Sequence, residues 1–417
     1  MKGIVVNGIN DVIPDEDCMW IISDGLPCLF RYDYLTQEIE LKAVFPESVS
    51  AIGPFSRMVK LENEIYFIPW LVKDIYYYDI TKNEFHKLDI SFKEFSSDNW
   101  RRTEAVVVDE KLYCVNRIPD AVIEINPVTK EVITFRVDMQ LYADRILPCR
   151  EWTVYPGPCV CHGKIIWTNY KNILTIFDIK TKEFSVKKIE GISEEEPKRQ
   201  SGVTEDYIIG VRVFEEELWL FTFEGRVYRY DNAIHKIESG LFEDYAYYND
   251  ADGIVVSSFY DIVQIENELF FIPSYKNKCI KYNGSTGQYE EILNDYIQNW
   301  GFNRRNYTIC KVINNKKILL YSYYENVFYI LDTEKNSMLE WKIEDSWVKL
   351  AKENPLFVQV VNRNFMRDQI YEFDDLDWLI QSVLVDGKKE KRKSSVDIAG
   401  QQIYMASAEL ETQIACN

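Results

Sequence analysis

A seven-fold recurrence of about fifty residues constrains this chain more than any other feature. An apolar run opens each copy: Cys18-Met-Trp-Ile-Ile22, Glu64-Ile-Tyr-Phe-Ile68, Lys111-Leu-Tyr-Cys-Val115, Lys164-Ile-Ile-Trp-Thr168, Glu217-Leu-Trp-Leu-Phe221, Glu268-Leu-Phe-Phe-Ile272 and Lys317-Ile-Leu-Leu-Tyr321. Successive first residues are 46, 47, 53, 53, 51 and 49 positions apart. A second aromatic-rich run closes each copy at Asp33, Asp79, Asn126, Asp178, Asp231, Asn283 and Asp332, and keeps nearly the same steps. Short apolar runs separated by Asn, Asp and Gly turns read as strands. A fifty-residue period of such strands predicts an all-β fold, a seven-bladed β-propeller.

Repeat two shows the plan of one blade. Arg57-Met-Val-Lys-Leu61 is an inner strand, Glu62-Asn63 a tight turn, residues 64–68 the next strand and residues 75–79 the third. Ile80-Thr-Lys-Asn83 turns the chain, with Asp79 placed to accept backbone N–H bonds beyond it, and Glu84-Phe-His-Lys-Leu88 is the outer strand. In repeat one the inner strand spans residues 10–13, followed by an Asp15-Glu16 turn, which leaves residues 3–6 over. Residues 355–361 and 369–373 also read as extended. Pairing of strands from the two termini is therefore expected to close the ring, since an open ring exposes sheet edges. Eight blades are the competing count, the last built from residues 347–374 and the N-terminal strand. The propeller is assigned residues 1–373.

Residues 374–417 form the second unit, a helical C-terminal extension. Leu376, Leu379, Ile380, Val383 and Leu384 recur at helical spacing behind an Asp-rich first turn, and Gly387 stops the pattern. Residues 388–393, five bases and one acid, read as a basic linker; a second short helix is expected beyond it.

The repeats over residues 9–345 resemble the kelch and quinoprotein-like propeller superfamilies in period, blade layout and the turn Asp79-Ile-Thr-Lys-Asn-Glu-Phe85, more loosely in Asn126-Pro-Val-Thr-Lys130. The paired glycines of kelch blades are missing, as are the Gly-His and Trp-Asp dipeptides of WD blades. The resemblance implies a propeller and a ligand-docking role, and it transfers no catalytic residue. The string Gly400-Gln-Gln-Ile-Tyr404 is loosely similar to the tails of some bacterial cell-surface polysaccharide biosynthesis proteins.

Chemistry is sparse. There are three histidines: His86 reads as an outer-strand residue, His162 as a turn residue, and His235 as lying after a strand. Cys159-Val-Cys161 places two thiols on one face of an inner strand, a spacing that suits buried core better than a metal site. No phosphate-cradling Gly-rich loop is present. No catalytic residue, metal or cofactor is therefore nominated. The net charge of −19 opposes phosphate backbones, which argues against nucleic acid as a partner. Nine scattered cysteines fit a reducing compartment, the N-terminus has no secretory apolar stretch and no window reaches spanning length, so a cytoplasmic protein is expected.

Connections in a four-stranded blade alternate between the two faces of the disc. One face collects Asp15, Glu16, Glu62, Asp109, Glu110, Glu215, Glu216 and Glu266 and is expected to be acidic. The other collects Trp70, Trp100, Arg101, Arg102, Arg117, Arg150, Trp152, Tyr170, Tyr275, Trp300, Arg304, Arg305 and Tyr323. Arg, Trp and Tyr dominate protein-binding hot spots, and loops on a rigid scaffold carry function. The expectation is a non-enzymatic interaction module that binds a protein partner through this aromatic and basic face. The alternative is a protein or enzyme that takes a carbohydrate or anionic metabolite at the central channel mouth, linked to bacterial cell-surface polysaccharide synthesis; Trp and Tyr stack on sugars and Arg pairs with anions.

Overall fold

The structure, a computed structural model, describes residues 9–23, 26–46, 55–69, 74–88, 104–117, 120–138, 141, 157–170, 172–192, 208–222, 226–231, 234–236, 247–249, 254–256, 259–273, 279–292, 309–313, 316–322, 327–341, 343–357 and 360. They form seven four-stranded antiparallel sheets, each built from consecutive strands. The inner strands are Ile9–Pro14, Phe55–Leu61, Glu104–Val108, Cys159–Cys161, Ile208–Phe214, Phe259–Ile265 and Ile309–Ile313. Blades 1 to 7 take those strands in order. A two-stranded hairpin, Tyr247–Asn249 with Ile254–Val256, is added between blades 5 and 6. The fold is a seven-bladed β-propeller.

Second strands are apolar throughout because both of their faces are covered. Cys18–Ser23 is buried at every position, and Glu64–Pro69, Glu268–Pro273 and Lys317–Ser322 at every position but the first. A strand sandwiched between two neighbouring sheets loses the apolar–polar alternation of a half-exposed strand. Outer strands such as Val132–Arg136 stand at the rim and are half-buried or exposed. Cores lie between blades. Trp20 and Leu29 of blade 1 share one cluster with Phe55, Met58, Phe67 and Tyr78 of blade 2, and the Trp20 and Tyr78 rings are 5.9 Å apart.

The turn between third and fourth strands repeats one solution. The Asp33 Oδ1 accepts N–H bonds from Leu35 and Thr36, Asp79 from Thr81 and Lys82, Asn126 from Val128 and Thr129, and Asp178 from Lys180 and Thr181, all within 2.9–3.1 Å. Asn283 and Asp332 each hold one such bond at 3.0 Å. Four residues on, the chain takes positive φ at Gln37, Asn83, Lys130, Lys182, Gly287 and Asn336. The side chain organises the turn and the left-handed residue returns the strand.

The carboxyls of Asp33, Asp79, Asp178 and Asp332 are held below the usual carboxylate range. At Asp79 the main cause is the Lys82 ammonium at 2.7 Å, then the Thr81 hydroxyl; at the other three it is a backbone N–H.

The pairing of terminal strands expected to close the ring falls largely outside the described residues. Residues 3–6 and 369–373 lie outside the described residues, and residues 355–357, expected to be extended, are helical. A helix, Glu344–Glu353, follows blade 7, so the eighth-blade reading of residues 347–374 fails at its start. Its Trp347 and Leu350, with Phe357 and Val360, enter the core shared by blades 1 and 7. Among the described residues, blades 1 and 7 are each a four-stranded sheet of consecutive strands. The expected helical extension, residues 374–417, lies outside the described residues.

Two measurements check this account. Asp79→Asn keeps the acceptor that organises the turn, as Asn126 and Asn283 do. A carboxylate with a depressed folded pKa adds stability above its unfolded pKa of about 4, and that stability is lost as pH falls through the folded value. Urea midpoints between pH 2 and 7 should therefore fall below about pH 4 in the parent, and less steeply in Asp79→Asn. Glu216 adopts φ 64° in an exposed turn, where an L side chain costs about 1–2 kcal/mol; Glu216→Gly should raise the urea midpoint, and an unchanged or lower midpoint would contradict the strain.

Candidate functional site

The inner strands converge on the axis, and a register break in four of them sets what they present. The pairing slips between Ile9 and Asp11, Phe55 and Arg57, Ile208 and Gly210, and Phe259 and Asp261. A bulge re-aims the residue that follows it. In three blades that residue is charged: Asp11, Arg57 and Asp261. Glu104 takes the same register in blade 3, opposite Val115, the fifth residue of the second strand, as Ile22, Ile68 and Ile272 are in theirs.

These groups bond across blade boundaries. Lys311 Nζ of blade 7 is 2.9 Å from Asp11 Oδ1 of blade 1, and Asp11 Oδ2 accepts the Met58 N–H of blade 2 at 2.7 Å. Arg57 of blade 2 donates from Nε to Glu104 of blade 3 at 3.2 Å. Arg212 of blade 5 holds three blades together: Nη1 donates to the Gly157 carbonyl before blade 4 at 2.7 Å, Nε to the Ile262 carbonyl of blade 6 at 3.1 Å, and Nη2 to Asp261 at 2.5 Å. Gly157 also packs on Glu104, whose Oε2 would lie 3.5 Å from an added Cβ. In ring order the signs alternate: Lys311, Asp11, Arg57, Glu104, Arg212, Asp261. Asp11 is fully buried, and the other five side chains are 17–27% exposed. The six charges form a neutral belt around the axis.

The belt was not singled out from the sequence, although a signal existed. Asp11, Arg57, Glu104 and Asp261 each stand seven residues before the first residue of their second strand, Cys18, Glu64, Lys111 and Glu268. Charge at a fixed phase of a repeat marks a shared position, but the alternation of sign becomes visible only once the blades form a ring.

The turn face carries the acids at the expected places. Glu62, Asp109, Glu110, Glu215, Glu216 and Glu266 occupy inner hairpin turns in left-handed conformation. Cations of neighbouring elements temper this charge. Lys130 of blade 3 reaches the Glu64 carboxylate of blade 2 and stands 4.3 Å from the Tyr77 ring centre. Lys60 pairs with Asp15. Glu124, buried, lies between Lys111 and Lys182; burial pushes its carboxyl up, and hydrogen bonds from the two lysines outweigh that and hold it low.

Of the thirteen residues assigned to the aromatic and basic face, Trp70, Trp100, Arg101, Arg102, Arg150, Trp152, Tyr275, Trp300, Arg304, Arg305 and Tyr323 lie outside the described residues. Arg117 and Tyr170 end the second strands Lys111–Arg117 and Lys164–Tyr170, at the end away from the turn face.

His86 is in the outer strand of blade 2, stacked on Tyr77 at 4.9 Å, and His162 is in a turn. His235 lies within the outer strand Ile234–Lys236 rather than after a strand, 3.0 Å from Asp231. Cys159 and Cys161 both face the core. Burial pushes the Cys159 and Cys279 thiols up to about 12 and Cys18 to about 11, leaving each protonated near neutrality. Among the described residues no three His, Cys, Asp or Glu side chains gather to hold a metal ion, and no helix is long and apolar enough to cross a membrane.

The chain is thus a seven-bladed β-propeller whose described inner strands carry a belt of six paired charges. No family model matches it, and no curated protein does. Solved structures share the fold. YCF48, a β-propeller solved bound to a D1 peptide, superposes with a TM-score of 0.50 at 7% identity over 77% of this chain and 90% of its own. Sqt1 of Saccharomyces cerevisiae gives 0.50 at 10% identity over 76% and 81%. PorZ, an essential surface component of the type-IX secretion system of Porphyromonas gingivalis, gives 0.50 at 9% over 82% of this chain and 38% of PorZ, so the match spans little more than a third of that protein.

The belt makes one prediction. Arg212→Met keeps the aliphatic stem, strips Asp261 of its cation and removes the donor to the Gly157, Ile262 and Val211 carbonyls. Stability should fall by about 3 kcal/mol in urea unfolding. Arg212→Lys should recover only part of the loss, because an ammonium cannot span all of these acceptors.

Proposed function

We propose that this chain is a β-propeller recognition module that holds a protein partner on the face opposite the Asx turns and performs no chemistry there. The observation that carries the reading is the belt: among the described residues each of its six charges is matched by an opposite one from a neighbouring blade, so the belt serves cohesion and carries no net charge of its own. The sequence meanwhile allots Trp100, Arg101, Arg102, Trp152, Trp300, Arg304 and Arg305, residue types enriched in hot spots, to the connections between blades. The peptide held by YCF48 is consistent with such a use of this fold.

A second reading rests on one feature. The side chains of Arg57, Arg212 and Lys311 remain 22–27% exposed at the axis, where a carbohydrate carboxylate or phosphate could meet them.

Capture from a lysate of the source organism separates the two. The parent chain and an Arg101→Ala, Arg102→Ala, Arg304→Ala, Arg305→Ala variant of unchanged melting temperature are used as bait, with recovered proteins quantified by mass spectrometry. A protein retained by the parent and reduced at least about tenfold by the variant supports docking; equal recovery on both refutes it. A thermal-shift series with sugars and nucleotide sugars that raises the Tm would transfer the assignment to the axis.

A further inference from the structure

Six of the seven blade boundaries are crossed by the chain as it runs from one blade to the next. The boundary between blades 7 and 1 is where the ring begins and ends, and among the described residues its two sheets share no strand. Near the axis it is held by the Lys311–Asp11 pair and by the Ile9 N–H, which donates to the Tyr321 hydroxyl at 3.2 Å. Toward the rim the helix Glu344–Glu353 is packed against it. The Trp347 ring meets Phe30 of blade 1 edge-on at 4.8 Å, and Phe357 meets the same ring at 5.9 Å. Leu350 and Val360 complete a cluster with Ile21 and Cys28 of blade 1 and Leu319 and Phe328 of blade 7.

The helix has little to sustain it alone. It is ten residues long, and Ile343 at its N-cap supplies no side-chain hydrogen bond. Helices this short are marginal in water, so its order derives from the cluster it fills. Among its described side chains the polar ties to blade 1 are two: the Ser346 hydroxyl donates to the Gln37 carbonyl at 2.6 Å, and Lys349 pairs with Glu38, both side chains of that pair nearly half exposed. Exposed pairs of that kind contribute little.

We propose that residues 343–357, with Val360, are a releasable clasp: the groove between blades 1 and 7 is a receptor for an amphipathic helix, occupied here by the chain's own segment, and the clasp unfolds and the seam opens in one step. Aromatic contacts to Phe30 and apolar contacts to blade 7 belong to the same cluster, so neither set survives loss of the other. The seam is then the first part of the ring to open, below the cost of unfolding the whole.

Native-state hydrogen exchange on the full chain, followed by mass spectrometry at rising sub-denaturing urea, tests this. Amides of residues 346–353, of Ile9–Pro14 and of Ile309–Ile313 should converge on one opening reaction, faster than the exchange of blades 3 and 4. Trp347→Ala should accelerate all three segments together by about a hundredfold or more, leaving blades 3 and 4 unchanged. Trp347→Phe, which keeps an aromatic ring, covers the case in which the alanine variant does not fold, and should accelerate the same three segments by less. Helix amides that exchange independently of the seam strands would overturn the proposal, as would seam strands protected as strongly as blades 3 and 4.

Discussion

A four-stranded sheet of this composition has two apolar faces and no means of covering either by itself. That constraint organises the molecule. Each blade must be pressed between two others, so seven repeats bury one another only when the series returns to its start. The unbroken burial of the second strands is the direct sign of it: Ile65, Tyr66, Phe67 and Ile68 are all inaccessible although successive side chains point to opposite faces. Tyr66 looks toward blade 3 and Phe67 toward blade 2 itself and blade 1, each in a separate core.

Polar groups then settle which blade meets which, and at what height. At the axis, where the sheets come closest, side chains from the inner strands bond to backbone and to opposite charge on the neighbour. Asp11 and Arg212 are the fullest cases, each contacting two adjoining blades. On the turn face, Lys130 and Lys182 sit at the left-handed position of their turns and reach back to the carboxylate of the preceding blade. A polar contact adds little net stability in exchange for water, whereas a misplaced buried charge costs much more, so such contacts select register more than they add strength.

The end of the ring is solved by the same logic with other material. Elsewhere the residue after an outer strand folds inward to seal the junction, as Phe45 does against Phe55, Phe67 and Phe85. After blade 7 the chain seals its junction with Ile343 and then continues as a helix across the opening. Trp347 there fills the core shared by blades 1 and 7.

Blade number, strand order and turn chemistry were legible in the sequence because they follow from local patterning: an apolar run for a strand covered on both faces, Asp or Asn four residues before a left-handed turn residue, acids in the inner hairpins. The thiols of Cys159 and Cys161 were legible for the same reason, since alternation alone puts them on one face. The helix at 344–353 was not. Trp347, Leu350, Phe357 and Val360 are spaced too loosely to distinguish a short helix from irregular strands until the groove that receives them exists. The belt was hidden for a deeper reason. Asp11 and Lys311 are three hundred residues apart in sequence and 2.9 Å apart in space, and no periodicity reveals which charge will face which when a repeating chain bends round to meet its own beginning.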